Sequence, residues 1–310
     1  MLKRAGAATG LAILVSGSIL YLISVGGGPS QAGRRILTIF KTTRKTPAFV
    51  GTVRRCLRAK FYNLSKLADR WTTGEEVRAC GSLASLKLHE LQNKDDSKLV
   101  LLPSRINGSR FNSCVLVTLG VGNDILAEQQ FIKLWPQKCR LYGADPLESV
   151  GAIYGRVGRF FPLAVSASAS CNASAFVLEN AVYHYTKLST ISLEEFLVNH
   201  TSESVLDNLW IDNEGPEYEI LTLLQRGSPF IEKFTICQIN VEIHGGQKEF
   251  TTERLVDAFE KFVFNSPFLP LWGFGVRHLR LMALNVENAY CLEKFVAGWT
   301  SQQSSRMTLL

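Results

Sequence analysis

The sequence predicts an α/β protein built on a mostly parallel sheet with helices on both faces. Three observations lead there. From Ser113 onward, short apolar runs alternate with segments of helical spacing, the pattern of strands joined by helical crossovers. Two of these runs end in turns that carry glycines or carboxylates, Leu119-Gly120-Val121-Gly122-Asn123-Asp124 and Ile211-Asp212-Asn213-Glu214-Gly215-Pro216. Strand ends of this kind are where open α/β sheets hold ligands. The chain is also large and apolar enough to bury a core, with 310 residues, 46% hydrophobic and 20% charged.

The elements follow in order. Ser113 to Leu119 reads as a strand closed by Gly120, and Ile125 to Trp135 as a helix stopped by Pro136. Arg140 to Ala144 is a second strand, ended by Asp145-Pro146, and Arg159 to Val165 a third. Ala175 to Leu178 is a short extra strand. Ser192-Leu193-Glu194-Glu195 has the capping-box spacing that opens a helix. Val205 to Ile211 is the fourth strand, and the helix after it starts at Pro216 and stops before Gly227. Phe234 to Ile243 is the fifth strand and Thr252 to Phe262 a helix. His278 to Leu284 and Tyr290 to Val296 are the last two strands.

The N-terminal part differs in composition. Ala5 to Gly28 carries no charge, and its apolar core, Leu11 to Val25, is followed by Gly26-Gly27-Gly28-Pro29, a break. At about 1.5 Å per residue such a run can cross a hydrocarbon layer of about 30 Å, so it predicts a membrane anchor or, with Ser24-Val25-Gly26 as cleavage site, a signal peptide. Residues 29 to 70 hold eleven basic residues against one acid, a block of +10, within a chain of net charge +7. The remainder is net acidic, so the basic block reads as a stem at a membrane surface and not as a nucleic-acid face. The domain organisation expected is therefore an anchor over 1–28, a basic stem and helical lead-in over 29–112, an α/β domain over 113–300 and a polar tail over 301–310. Lys3 and Arg4 set against the basic block favour a cytosolic domain, whereas four N-x-S/T sequons, at Asn63, Asn107, Asn172 and Asn199, favour a lumenal one. Orientation stays open between the two. Seven cysteines include no C-x-x-C and no histidine at metal-ligand spacing, so no metal site is expected. Cys114 and Cys237 fall in apolar runs and read as core residues; one or two disulfides are allowed, with no connectivity legible.

Four places could carry chemistry. The Gly120-Val121-Gly122 turn lets the backbone approach a ligand, and Asn123 and Asp124 can receive an ammonium group. Ile125 stands where a dinucleotide loop needs a small residue, which weakens a nicotinamide enzyme. Asp145, ending the next strand, can accept two ribose hydroxyls or cap the following helix. Asp212 and Glu214 can share one side of a crevice and raise each other's pKa, or else build the turn. His244, ending the fifth strand in Glu242-Ile243-His244-Gly245, can accept a proton. No G-x-S-x-G elbow and no D-x-D metal motif occurs, which disfavours a serine hydrolase and a Golgi-type glycosyltransferase.

These residues together resemble the FkbM-type S-adenosylmethionine-dependent methyltransferases, in particular their membrane-anchored animal members. Leu209-Trp210-Ile211-Asp212-Asn213-Glu214-Gly215-Pro216-Glu217-Tyr218-Glu219-Ile220-Leu221 is similar to the family's most specific motif, and Tyr142-Gly143-Ala144-Asp145-Pro146 and Thr190-Ile191-Ser192-Leu193 to other elements. Thr118 and Trp210 stand where the family often has an acid and a lysine. The resemblance implies a class I methyltransferase (Rossmann-like) sheet of seven strands, the last two forming an antiparallel edge hairpin. It implies S-adenosylmethionine as cofactor, with Gly120, Gly122, Asn123, Asp124, Asp145 and Val165 around it. Asp212, Glu214 and His244 would face the acceptor, a small molecule, glycan or lipid-linked group. A tethered, catalytically inactive binding module on the same fold is the alternative.

Overall fold

The computed structural model describes residues 10–15, 18–23, 37–39, 46–62, 70–94, 96–104, 111, 114–135, 138–179, 182–245, 251–297 and 307–309. For the strands at 10–39, 171–186 and 307–309 only the backbone is described. The chain divides into two compact units, 1–46 with 300–310, and 47–299.

In the first unit, Gly10–Val15 pairs antiparallel with Ser18–Ile23, and Leu37–Ile39 with Met307–Leu309. The described part of the segment 5–28, where a membrane span is expected, is this strand pair. β-Branched and aromatic residues such as Ile13, Val15, Ile19, Tyr21 and Ile23 favour extended backbone. Among the described residues no helix is long and apolar enough to cross a membrane. Lys3, Arg4, the Ser24-Val25-Gly26 cleavage site and the sequons at Asn63 and Asn107 lie outside the described residues.

The second unit is built on seven strands: β1 Val115–Leu119, β2 Arg140–Ala144, β3 Arg159–Phe161, β4 Val205–Ile211, β5 Thr235–Ile243, β6 Phe268–Gly275 and β7 Leu279–Asn285. Their order across the sheet is β6-β7-β5-β4-β1-β2-β3. β3, β2, β1, β4 and β5 run parallel, and β7 is antiparallel to both β5 and β6. Strand order therefore reverses between β1 and β4, and the C-terminal ends of those two strands bound the crevice. β1 is buried along its whole length and β4 from Leu206 to Ile211, the signature of strands covered on both faces.

The edge hairpin exists but is not the expected one. It pairs Phe268–Gly275 with Leu279–Asn285, while Ala289–Phe295 is a helix. Asn288 starts that helix, its side chain accepting from the N–H groups of Tyr290 and Cys291. Two prolines and two glycines within 267–275 hide the strand signal of Phe268–Gly275, but an edge strand tolerates them. The third strand is shorter than expected: Pro162, which has no N–H, ends it after Phe161. Ala164–Ser166 instead joins a small sheet with the hairpin Ser170–Glu179 and Val182–Ser192. Ser192 caps the next helix as its spacing suggests, accepting from Glu195 N–H at 3.0 Å.

Residues before β1 also pack on this unit. Helix Arg70–Ser82 lies so close to β6 that a Cβ on Gly81 would stand 2.0 Å from Leu271 O, and one on Gly74 2.6 Å from Gly275 N. A hairpin of His89–Gln92 and Ser97–Val100 follows, held edge-on by Asn240 and Gln238 of β5, whose amides bond the backbone of Leu99 and Leu101 at 2.7–3.0 Å. Three disulfides cross-link the unit: Cys56–Cys80, Cys114–Cys139 and Cys237–Cys291. Cys114 and Cys237 are therefore not plain core residues. Both are wholly buried, and each meets a cysteine from a separate element that local pattern could not place. A buried ion pair, Lys294 Nζ to Asp207 Oδ1 at 2.5 Å, ties the last helix to β4.

Candidate functional site

The crevice begins with the glycine turn after β1. Gly120 has φ +78° and Gly122 φ +61°, both left-handed. A Cβ on Gly120 would lie 1.9 Å from Asp212 O, so the glycine is required for the turn after β1 to touch the turn after β4. A Cβ on Gly122 meets nothing within 4 Å, so this stretch of backbone faces open space. Asp145, at the end of β2, is 7% exposed and accepts from Gly122 N–H at 3.1 Å and Leu147 N–H at 2.8 Å. It holds the glycine turn to the β2 end, with the Val121 N–H also bonding it, and the carboxylate keeps acceptor capacity for a further donor. Burial raises its pKa above the ordinary value, against those backbone bonds.

The other expected cofactor residues divide. Asn123 is exposed beside the turn. Asp124 bonds the backbone with both oxygens, accepting from Leu126 N–H at 3.0 Å and Lys94 N–H at 2.7 Å. It caps the helix Leu126–Leu134 and pins the 89–100 hairpin. Val165 is buried, and its carbonyl accepts from Asn213 Nδ2 at 2.7 Å, tying the small sheet to the turn after β4. Thr118 donates to Glu128 Oε1 at 3.1 Å, so an acid from the next helix sits under the glycine turn; burial lifts it to about 7.

The turn after β4 gathers the charges. Glu214 adopts φ +57°, a conformation that costs a non-glycine residue on the order of 1–2 kcal/mol. It brings Glu214 Oε2 to 3.0 Å from His244 Nε2, with Asp212 Oδ1 3.6 Å from the same nitrogen. On the other side of the ring, Glu217 Oε1 lies 3.0 Å from His244 Nδ1. Glu217 is wholly buried and also accepts from the N–H of His244 at 3.0 Å and of Gly215 at 2.6 Å. Tyr218 donates its hydroxyl to His244 O. Burial opposes charge on His244, but Glu217, Glu214 and Asp212 outweigh it and hold the imidazole protonated well above its ordinary value. Burial would likewise raise Glu217, but His244 and the backbone bonds keep it below the ordinary carboxylate range. The carboxylates on both sides of the ring thus favour the protonated form of His244.

Asp212 behaves in the opposite way. Burial and then the Glu242 carboxylate push it up to about 7, against Lys98 and His244. The 31% of its side chain still exposed opens to the crevice. Lys98, from the 89–100 hairpin, pairs with Asp96 and places Nζ 3.6 Å from Asp212 Oδ2. Arg280 of β7 grips Glu242 with two bonds of 2.7 and 3.1 Å. The His278 ring lies 4.4 Å from that of His244; burial and then the neighbouring imidazolium lower it to about 4.

The structure brings Asp212, Glu214 and His244 together as expected and adds Glu217, Lys98, Asp96, Glu242 and Arg280. Nothing local marks Lys98, because its position depends on how the 89–100 hairpin docks on β5. Trp210, in the family's lysine position, is a core residue edge-on to Phe131. The cation beside Asp212 comes from Lys98 instead. Three sets also place possible metal-binding atoms within 4.8 Å of one another: Glu242, His244 and His278; Asp212, Glu214 and His244; Asp96, Asp212 and Glu242. Sequence spacing gave no sign of them, since each set draws on at least two separate elements.

A seven-stranded, mostly parallel sheet of this order, with a glycine turn and acids at its point of reversal, fits a methyltransferase fold. Residues 82–269 match the Methyltransferase FkbM domain, and the chain belongs to that family. Among solved structures it is similar to methyltransferase FkbM from Methylobacillus flagellatus KT at 11% identity and a TM-score of 0.36, covering 56% of this chain and 44% of that one. The chain thus spans less than half the length of that protein. A SAM dependent methyltransferase from Aquifex aeolicus is similar at 8% identity and a TM-score of 0.29, covering 58% of this chain and 88% of that one. No curated protein matches significantly.

Proposed function

We propose that the protein transfers a methyl group from S-adenosylmethionine to a hydroxyl of a small-molecule, glycan or lipid-linked acceptor. The observation that carries this reading is the contact of Gly120 with the Asp212 turn, which puts a cofactor-type loop and a carboxylate cluster in one crevice. The residues present fit the cofactor. Gly122 leaves open space, Asp145 has spare acceptor capacity for ribose hydroxyls, and the surplus of carboxylates suits a sulfonium. When bound, S-adenosylmethionine supplies an electrophilic methyl group: the C–S bond breaks as the acceptor oxygen forms a C–O bond.

The protein's own part is positioning and proton transfer. Orientation of the two reactants can contribute up to about 7–11 kcal/mol. Asp212, poised at about 7, takes the acceptor's hydroxyl proton. Protonated His244, fixed from behind by Glu217, orients Glu214 and Asp212 towards the acceptor. Calorimetry with S-adenosylmethionine, followed by detection of S-adenosylhomocysteine over a panel of hydroxylated acceptors, tests this. Failure to bind the cofactor would favour the inactive binding module.

A further inference from the structure

We infer that the 47–299 unit folds in an oxidising, glycosylating compartment, on the lumenal side of the secretory membranes, and that Asn199 is an N-glycosylation site. The first support is the cysteines. Six of the seven are paired, and each pair joins elements distant in sequence, with separations of 24, 25 and 54 residues. Their Cα–Cα distances are 5.5, 4.4 and 5.0 Å, within the span a cystine bridges. Cys56–Cys80 clamps the helices Ala48–Lys60 and Arg70–Ser82. Cys114–Cys139 joins the starts of β1 and β2, and Cys237–Cys291 joins β5 to the last helix.

None of these cystines belongs to the crevice. Cys114 and Cys139 lie at the N-terminal ends of their strands, opposite the glycine turn, and no pair has the close spacing of a catalytic dithiol. Cystines buried in this way are structural, and structural cystines mark proteins that mature outside the reducing cytosol. Each forms by loss of two protons and two electrons from two thiols to the thiol–disulfide oxidant of such a compartment. Cystines of this kind fit the lumenal placement that the N-x-S/T sequons favour.

The second support is Asn199. Its Asn199-His200-Thr201 sequon ends the short π-helix Phe196–Thr201, where Asn199 is exposed beside Val198, itself 45% exposed. Thr201 is turned inward, its hydroxyl donating to Leu197 O at 2.9 Å, which leaves the asparagine on the outer side. A glycan there projects into solvent. The transfer forms a bond from Asn199 Nδ2 to the anomeric carbon of a lipid-linked oligosaccharide. The sugar–pyrophosphate bond breaks, the lipid pyrophosphate leaves and the amide loses one proton.

This inference does not rest on methyl transfer and is tested without it. The full chain, expressed in cultured animal cells, is treated with peptide-N-glycosidase F. In parallel, its cysteines are alkylated under denaturing conditions before and after reduction. The expected result is a mobility shift on deglycosylation that is one glycan smaller in N199Q, with six cysteines alkylated only after reduction in both proteins. No shift together with cysteines that alkylate without reduction overturns the compartment. A shift unchanged in N199Q, with the cystines intact, overturns the assignment of Asn199.

Discussion

Replacing Glu217 with Gln removes the charge that organises the crevice. In the native protein Glu217 is fully buried, receives two backbone N–H bonds and faces His244 Nδ1 at 3.0 Å. Gln keeps one carbonyl acceptor for these three donors and turns an NH2 group towards one of them. Breaking one side of a buried ion pair costs about 3–5 kcal/mol, because the other charge is left uncompensated. In a unit of this size that corresponds to a fall in Tm of about 6–20 °C. The pH dependence carries a sign. His244 is raised, so its contribution is complete below its unfolded pKa and is lost as pH rises through the higher folded value. Glu217 is lowered, so its contribution is present above its unfolded pKa and is lost as pH falls through the lower folded value. The pair therefore stabilises most between the unfolded values, about pH 4.3 to 6.5. Urea titrations of both proteins across this range should show the largest gap inside it. A difference below about 1 kcal/mol at pH 6, or no coupling in a cycle with H244N, would refute the ion-pair account.

Other outcomes follow from the same geometry. D212N should abolish methyl transfer yet raise Tm at pH 8. Asp212 is shifted up, so its ionised form weakens the fold as pH rises from about 4 to 7; a lower Tm at pH 8 would contradict this. The native rate should climb through an apparent pKa near 7, and a flat pH–rate profile would remove Asp212 as base. D145A should weaken S-adenosylmethionine binding at least about tenfold, equal to about 1.4 kcal/mol, and unchanged affinity in calorimetry would leave Asp145 as a cap alone. E214G should lose activity with a stability change below about 1 kcal/mol, since relief of the left-handed strain offsets the lost His244 contact. Activity should survive EDTA, because Lys98 and protonated His244 already hold the positive charge at Asp212. Inactivation by EDTA with rescue by Mn2+ would show instead that Asp212, Glu214 and His244 bind a metal.

Several parts of this arrangement are legible in the sequence. Gly120, Asp145, Asp212 and His244 each end a strand, and strand ends are local features marked by a change from apolar to turn-forming residues. The parallel order followed because one rule, strand then covering helix, repeats along the chain. The edge hairpin was misplaced because Pro267, Pro270, Gly273 and Gly275 suppress a strand signal that only packing against Arg70–Ser82 restores. Asp124 could not be assigned from sequence, because an acid after a glycine turn serves a ligand or a helix start alike; here it accepts from Leu126 N–H and Lys94 N–H.

The sequence by itself determined the fold class and the four strand ends that form the crevice, because period and turn chemistry act over a few residues. It left open whether the acids after β4 do chemistry or build the turn. The tertiary structure divides those roles. Glu217 builds, bound to the backbone and His244, while Asp212 and Glu214 open to the crevice. It also decided the cystines, the cation from Lys98 and the carboxylates that flank both ring nitrogens of His244. Each of these depends on groups dozens of residues apart meeting in a buried place, where loss of water makes their charges and bonds count.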